Sequence, residues 1–274
     1  MLLLALPLGV VIGLSLGALG GGGSVLTVPA LVYVLGQDPR GAITSSLLIV
    51  GVTSLIGLTP HARAGRVRFG QGLVFGLLGT AGSFAGSRLS VKVSPAVLLA
   101  TFAVLILVVA VLMLRSTSRA TDDPNDVDSG PPIEVGGVAE TRPRTLSYDR
   151  RRVVLLVGTA TAVGLLTGFF GVGGGFALVP ALVLVLDFPM AVAVGTSLLV
   201  IAINSATALA ARAHTATDLD WPLVATFTAA AVAGSLLGSR VVTRVSPLRL
   251  KQVFAVLLMA VALYTGAQSI SSLL

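Results

Sequence analysis

Eight long apolar runs, separated by short polar segments, constrain this chain more than any other feature. Most runs approach the ~20 residues that a helix needs to cross a bilayer, and no Asp, Glu, Lys or Arg lies in the middle of any of them. The runs are Leu2–Leu35, Ala42–Pro60, Phe69–Ser87, Pro95–Leu114, Val153–Leu186, Ala191–Ala211, Trp221–Ser239 and Pro247–Ala267. Because backbone groups in hydrocarbon must be satisfied within the chain, the sequence predicts an all-α polytopic membrane protein.

The composition supports this class and excludes others. Charged residues make up 11% of the chain, whereas soluble domains carry about 25%. The 32 glycines are typical of membrane helices that pack closely through small residues. The chain has no Cys, which excludes disulfides, thiolate metal sites and thiol chemistry. Although the net charge is +7, no basic stripe interleaved with aromatics occurs, so we expect no nucleic-acid partner.

The chain also contains an internal repeat, in which the same short motifs recur in the same order. The first motifs are offset by 151 residues and a later one by 152, as expected for a duplication with one inserted residue. The matched segments, first half before second, are Gly20–Leu31 with Gly171–Leu182, Ser45–Leu48 with Thr196–Leu199, and Gly82–Arg88 with Gly234–Arg240.

Residues 116–151 differ in kind from the two repeats. They are polar, contain Pro and Gly, and mix both signs of charge. Such a segment cannot bury enough apolar surface to fold, so we predict a disordered cytoplasmic linker. The resulting division is a first transmembrane repeat over 1–115, the linker over 116–151, and a second transmembrane repeat over 152–274.

The first run of each half is too long for one span and is interrupted by glycines. These are Gly20–Gly23 in the first half, and Gly171 with Gly173–Gly175 in the second. Each glycine costs about 1 kcal/mol relative to Ala within a helix. We therefore predict that each long run is a Gly-broken hairpin of two helical pieces at the start of its half. Residues 1–19 have no basic n-region and no A-x-A site follows them, so we expect a helix there rather than a signal peptide.

The loop charges predict how the halves are oriented. Loops 61–68 and 240–251 carry only basic charges, and short basic loops favour the cytoplasmic side. Both reach that side only if each half crosses an odd number of times, which makes the halves inverted repeats with a cytoplasmic linker and external termini. Arg88 and Lys92 are on the wrong side in this arrangement. Eight single crossings in two parallel halves remain the alternative.

The glycine breaks are also the predicted substrate site. Transporters with inverted repeats place their sites where broken helices expose backbone near the bilayer midplane, and a restarting helix offers unpartnered N–H groups to an anion. Carboxylates, which mark cation sites within membranes, are absent from the run centres. The predicted substrate-binding residues are Gly22, Gly23, Ser24, Ser45, Ser46, Gly173, Gly174, Gly175, Thr196, Ser197 and Asn204.

Competing interpretations exist for these residues. Small residues also serve simply to let membrane helices pack. Arg88 and Arg240 occupy equivalent repeat positions and are predicted to steer anions towards an entrance, although arginines at helix ends also snorkel to the interface as anchors. The two histidines, His61 and His214, are not equivalent in the repeat, and we predict no metal site, no cofactor and no catalytic residue.

The paired motifs Gly-Gly-Gly-Gly-Ser…Pro-Ala-Leu from Gly20 and Gly-Val-Gly-Gly-Gly…Pro-Ala-Leu from Gly171 resemble those of the TauE/SafE sulfite exporter family. The resemblance is strengthened by Ser45-Ser46-Leu47 and Gly195-Thr196-Ser197-Leu198. It covers nearly the whole chain and implies a duplicated membrane permease. Such permeases transport sulfite, sulfonates such as sulfoacetate, or related sulfur anions, driven by ion gradients.

Together these features predict a secondary transporter for small sulfur-containing anions that works by alternating access of two repeats. Its expected partners are the anionic substrate and the lipid bilayer, with a homodimer left open, and its expected location is the inner (plasma) membrane as a multi-pass protein. The alternatives are an anion channel, a non-transporting scaffold and an intramembrane hydrolase. The hydrolase would pair Ser24 with His61 or His214, which must come within hydrogen-bond reach, and nothing in their spacing supports that.

Overall fold

The computed structural model describes residues 2–90, 93, 95–121, 150–170, 175–211, 219–242 and 245–271, and these residues form helices and turns without a strand. Their helices are α1 (Leu2–Leu19), α2 (Gly22–Pro29), α3 (Pro39–Arg63), α4 (Phe69–Ser90), α5 (Pro95–Thr121), α6 (Arg150–Phe170), α7 (Gly175–Leu184), α8 (Met190–Ala211), α9 (Trp221–Val241) and α10 (Pro247–Ser271). The prediction of an all-α fold is confirmed.

Helix lengths and surface chemistry fit a bilayer. In the described part of the chain, α3, α8 and α9 are long and apolar enough to cross a membrane. Large apolar side chains point outward on several helices: Leu55 on α3 is 60% exposed, Leu77 on α4 66% and Val104 on α5 62%. Water would make such a surface unfavourable, whereas lipid solvates it. The chain is therefore a polytopic helical membrane protein.

The helix order repeats, since α1 to α5 have counterparts in α6 to α10. Between α1 and α2 the predicted interruption is present, and α2 turns back along α1, so that a Cβ on Gly23 would lie 2.7 Å from Cβ of Leu16. After Pro29, which has no N–H to donate, α2 widens into one π-helical turn, Ala30–Val34. In the second half, α6 ends at Phe170 and α7 begins at Gly175; residues 171–174 between them lie outside the described residues.

Two outer helix pairs join the halves through glycines. On α1, Gly13 faces Ala231 of α9 and Gly17 faces Ser235, so closely that a Cβ at either glycine would overlap the α9 backbone. Because residue numbers rise together along both helices, α1 and α9 are parallel. The equivalent pair, α4 with α6, repeats this contact where Gly164 packs on Gly79. Small residues of this kind let membrane helices approach to backbone contact.

The central pair, α3 with α8, runs the other way. Gly51 of α3 faces Ser205 of α8, and Gly57 lies near Leu198, so numbers rise along α3 while they fall along α8. These two helices are equivalent in the repeat and antiparallel to each other. This is the relation that inverted repeats require, although the orientation of the halves in the membrane stays a prediction.

The core of the bundle shows the same equivalence. Among the largest fully buried side chains are Phe75 on α4 and Phe227 on α9, which correspond at the 152-residue offset. Each belongs to one of the two hydrophobic clusters that fill the bundle. The two halves therefore place an aromatic ring at matched points in the interior.

Charges separate between the ends of the bundle. Helix α3 ends at Arg63 and the loop after it carries Arg66 and Arg68. The last turn of α9 meets the last turn of α3 at a shared cleft. We call this the basic end, because α10 then starts there with Arg249 and Lys251. One acid, Asp187, also lies at this end, because its neighbour Phe188 stacks with Arg68. The opposite end carries Asp38, Arg40, Arg88 and Asp220.

The predicted linker joins helices at the basic end. Since Gly266 near the end of α10 packs on Ala103 near the start of α5, α5 is antiparallel to α10 and finishes at the basic end. There α5 continues to Thr121 and α6 begins at Arg150, so both edges of the 116–151 segment are helical. The rest of it lies outside the described residues, and the three-part division of the chain stays a prediction.

Candidate functional site

The glycine breaks of the two halves meet inside the bundle. A Cβ on Gly175 would lie 2.6 Å from Cα of Gly21 and 2.7 Å from Oγ of Ser24, and all three residues are buried. Gly20, at the end of α1, has φ +68, a left-handed conformation that glycine adopts without strain. The turn therefore requires glycine at position 20 because of its positive φ. The contact between Gly21 and Gly175 requires glycine because a side chain at either position would overlap the other backbone.

Helix α2 starts at this contact without a side-chain cap. Its N-cap residue is Gly21, and no side chain accepts a hydrogen bond from the first turn. The first N–H groups of a helix have no partner within the helix, and together with the helix dipole they favour negative charge. Of the predicted glycines, Gly22 begins this helix and Gly23 packs on α1, while Gly173 and Gly174 lie outside the described residues.

Four of the predicted hydroxyl residues are engaged with backbone. The Ser24 hydroxyl donates to the Gly21 carbonyl at 2.7 Å, Ser46 to Ile43 at 2.9 Å and Ser197 to Val194 at 2.8 Å. Thr196 instead accepts from the backbone N–H of Arg68 at 3.2 Å, which fastens the start of α8 to the start of α4. In this conformation three of the four hydroxyl protons are therefore used by the protein itself.

Two predicted residues differ, because the structure gives Oγ of Ser45 and Oδ1 of Asn204 no hydrogen-bond partner. Both side chains are almost fully buried. The same holds for five residues of α3, α4, α8 and α9 that the sequence prediction missed. We call the whole set the polar seam: Ser45, Thr53, Ser54, Ser83, Asn204, Ser205 and Ser235.

The repeat contained a signal for the missed residues. Thr53 and Ser54 lie 151 residues before Asn204 and Ser205, and Ser83 lies 152 residues before Ser235. Polar residues at equivalent buried positions in both halves are therefore candidates, although Ser87 and Ser239 share this property and have hydrogen-bond partners. The lack of partners in the seam is visible only in the structure.

Seam residues face glycines on neighbouring helices. A Cβ on Gly79 would lie 3.1 Å from Oδ1 and 3.2 Å from Nδ2 of Asn204, and one on Gly51 would lie 3.1 Å from Cβ of Ser205. Ser235 likewise fills the space that a side chain at Gly57 would take. Since Ser45 and Gly57 are twelve residues apart on α3, the seam spans about 18 Å at 1.5 Å per helical residue.

The buried polar interior is nearly free of ionisable groups. Among the residues described, the buried polar side chains are those of Ser, Thr, Asn204 and His61, and no cluster of candidate metal ligands occurs in that part of the chain. An anion in such an interior meets neutral donors and no opposing carboxylate.

His61 joins α3 to α1 at the basic end. It is 1% exposed, and its Nε2 lies 3.1 Å from the carbonyl oxygen of Gly17, three residues before the first break. Nδ1 has no partner. Ser24 donates to Gly21 instead of to this imidazole, so the serine and histidine considered for a hydrolase make separate backbone contacts; His214 lies outside the described residues.

The two predicted steering arginines have different surroundings. Arg240 lies at the basic end and, with Arg63, lines a cleft of about 570 Å³ between the ends of α3 and α9. Arg88, its repeat counterpart, lies at the opposite end, where its guanidinium stacks 4.9 Å from the centre of the Phe84 ring. The repeat places Leu236 where Phe84 stands, so the cleft side lacks that ring. Anion steering stays a prediction for both.

Comparison with known proteins decides the family. The model of the family described as sulfite exporter TauE/SafE matches residues 5–265, which include both glycine breaks and the polar seam. This chain belongs to the TauE/SafE family.

Relatives of this TauE/SafE chain carry transporter names. It is 33% identical over 278 residues to a probable membrane transporter protein of Xylella fastidiosa (strain Temecula1), covering 99% of this chain and 97% of the relative. It is 31% identical over 218 residues to the probable membrane transporter protein YunE of Bacillus subtilis (strain 168), covering 72% and 74%. No solved structure matches it. The chain is thus a member of a membrane transporter family.

Proposed function

We propose that this protein is a secondary transporter for small sulfur-containing anions such as sulfite or sulfonates (sulfoacetate). The observation that carries the proposal is the buried contact between Gly21 and Gly175, where the breaks of the two halves meet. It lies in a bundle whose described buried polar side chains include no Asp, Glu, Lys or Arg. Broken helices from two repeats that meet in the interior are a recurring feature of secondary transporters.

The electrostatics favour an anion. A helix start such as α2 presents N–H groups and the positive end of its dipole, and hydroxyl and amide groups add neutral donors. Intramembrane carboxylates, which mark cation sites and proton relays, do not occur among the buried residues described. A cation would therefore find no compensating charge there, and we infer no catalytic chemistry.

Alternating access follows from inverted repeats in this proposal. The antiparallel course of α3 and α8 supports an inverted relation of the halves, since parallel halves would place equivalent helices in the same direction. The basic end then faces the cytoplasm by the positive-inside rule, which leaves the linker cytoplasmic and both termini outside. The expected location is the plasma membrane, with the lipid bilayer and the anionic substrate as partners.

Reconstitution tests the proposal. An imposed ion gradient should drive the uptake of sulfite or sulfoacetate into proteoliposomes. Gly175→Ala should abolish this flux, because the added Cβ would overlap Gly21. Gly158→Ala on α6 is the matched control, since a Cβ there would have no neighbour within 4 Å. Absence of anion flux in the wild type, or full flux in folded Gly175→Ala, would refute the proposal. Anion currents far above carrier rates would indicate a channel instead.

A further inference from the structure

We propose that the polar seam is the oxyanion-binding path of this transporter and that the Gly21–Gly175 contact is its gate. This inference rests on the proposed function. It assigns substrate binding to the seam and gating to the two glycines. The ligand class is a small oxyanion such as sulfite or a sulfonate, whose oxygens accept hydrogen bonds from neutral hydroxyl and amide donors.

The first argument is the lack of partners in the seam. Most buried side-chain polar atoms in proteins have at least one hydrogen-bond partner, because desolvating a polar group without replacing its hydrogen bond is unfavourable. Six hydroxyl oxygens in the seam have none, whereas the unpartnered atom of Asn204 is its amide oxygen, which accepts rather than donates. A ligand that supplies acceptors would satisfy the hydroxyl protons that the protein leaves unused.

The second argument is that helices in this bundle can satisfy hydroxyls locally. Thr27 and Thr167 are both fully buried, and each donates to the carbonyl four residues earlier, at 3.0 Å and 2.7 Å. Such back-bonding is the usual solution for Ser and Thr within a helix. The seam hydroxyls do not adopt it, so their availability distinguishes them from the other buried hydroxyls.

The third argument is symmetry. Thr53 with Asn204, Ser54 with Ser205, and Ser83 with Ser235 occupy equivalent repeat positions, and all six lack a partner for a side-chain oxygen. A path that serves an alternating-access carrier must present the substrate with similar donors from either side. Packing alone would be satisfied by Ala or Gly at these positions, without desolvated oxygens.

The fourth argument is geometry. The seam extends about 18 Å along α3, which is more than half of a hydrocarbon core of about 30 Å. Glycines at 51, 57 and 79 leave the space that Ser205, Ser235 and Asn204 occupy. Six hydroxyls without a partner each bring one O–H donor, which suits the several oxygens of a sulfur oxyanion. Hydrogen bonds to an ionised acceptor in a low-dielectric interior are strong.

The glycine breaks, by contrast, suit a gate. Gly21 and Gly175 touch through their backbones, and the hydroxyl of Ser24 beside them already donates to a carbonyl. No room for an oxyanion exists between two backbones in contact. Separating them would open the path and expose the N–H groups that start α2.

Seam variants test this assignment against a matched hydroxyl. Ser54→Ala and Ser205→Ala should each weaken sulfite binding, measured by isothermal titration in detergent, roughly tenfold to a hundredfold, the usual effect of removing one hydrogen bond to a charged group. The Michaelis constant of flux should rise in parallel. Thr167→Val, which removes a buried hydroxyl that is bonded to its own helix, should leave sulfite affinity unchanged.

Stability separates binding from folding. The melting temperature without ligand should not fall in Ser54→Ala or Ser205→Ala, because these hydroxyls have no partner to lose, whereas Thr167→Val should lower it. Wild-type affinity in both seam variants, or an equal loss of affinity in Thr167→Val, would overturn the inference while leaving the transporter intact if Gly175→Ala still blocks flux. A wild type that neither binds nor moves any oxyanion would refute the proposed function itself.

Discussion

The outer and central helix pairs of this bundle are built on opposite principles. Where α1 meets α9, glycines bring two backbones into contact, and a Cβ at Gly13 would overlap Ala231. Where α3 meets α8, a Cβ added at Gly51 would lie 3.1 Å from Cβ of Ser205, and the interface contains hydroxyls without partners. Backbone contact allows little sliding, while a looser polar interface can rearrange. We infer that the outer pairs hold the halves together and that the central pair changes during transport.

This comparison also indicates which helices form rigid units. Because α1 is from the first half and α9 from the second, the tightest packing crosses the sequence repeat rather than following it. The groups α1 with α9 and α4 with α6 are better candidates for rigid units than the two halves taken whole.

The largest effect should come from an outer-pair glycine. Gly13→Ala forces a Cβ into the α9 backbone, and we expect it to lower the free energy of unfolding by about 1–3 kcal/mol or more, as overpacking does. Gly158→Ala, on an open face of α6, should be neutral or slightly stabilising, because Ala favours a helix over Gly. Thermal unfolding in detergent measures both. Equal melting temperatures for Gly13→Ala and Gly158→Ala would show that the α1–α9 contact is not rigidly packed.

A central-pair glycine should have a smaller effect on stability and a clear effect on flux. Gly51→Ala requires Ser205 to move only a few tenths of an ångström, so the unfolding free energy should change by less than about 1 kcal/mol. Because Ser205 belongs to the seam, we expect slower sulfite flux in proteoliposomes. A destabilisation as large as that of Gly13→Ala would remove the contrast between the pairs.

The smallest effect should distinguish the two ends. Arg240→Gln removes one of two arginines from the cleft at the basic end and should raise the Michaelis constant a few-fold at low salt, less so at high salt because the charge is screened. Arg88→Gln, whose guanidinium stacks on Phe84, should change it less. Initial rates of flux in both orientations provide the measurement, and identical effects of the two substitutions would count against directional steering.

Sequence reasoning reached the fold class and the first break because both depend on local chemistry. Apolar runs of span length require helices, and consecutive glycines such as Gly20 and Gly21 end one. It could not separate Ser24 from Ser54, since a serine in a membrane helix looks the same whether its proton is bonded or unused. That difference depends on the side chain's rotamer and on the neighbouring helix.

Contacts across the repeat were equally hidden. The offset pairs Thr196 with Ser45, yet Thr196 accepts a hydrogen bond from Arg68 while Ser45 has no partner. Equivalent positions thus differ in role, because the loop after α3 packs against α8. Equivalent residues would have the same surroundings only if the two repeats had the same sequence, and the sequences of the two repeats differ. Asn204 stays a prediction; it is 1% exposed, and Oδ1 has no hydrogen-bond partner.

The glycine face of α1 has a consequence for how the protein is made. Its partner, α9, is translated about two hundred residues later. Until then, Gly9, Gly13 and Gly17 lack the α9 surface on which they pack in the folded protein. A fragment that stops at the linker cannot assemble this contact from its own residues. Biogenesis of the first half is therefore completed only when the second half has been inserted beside it.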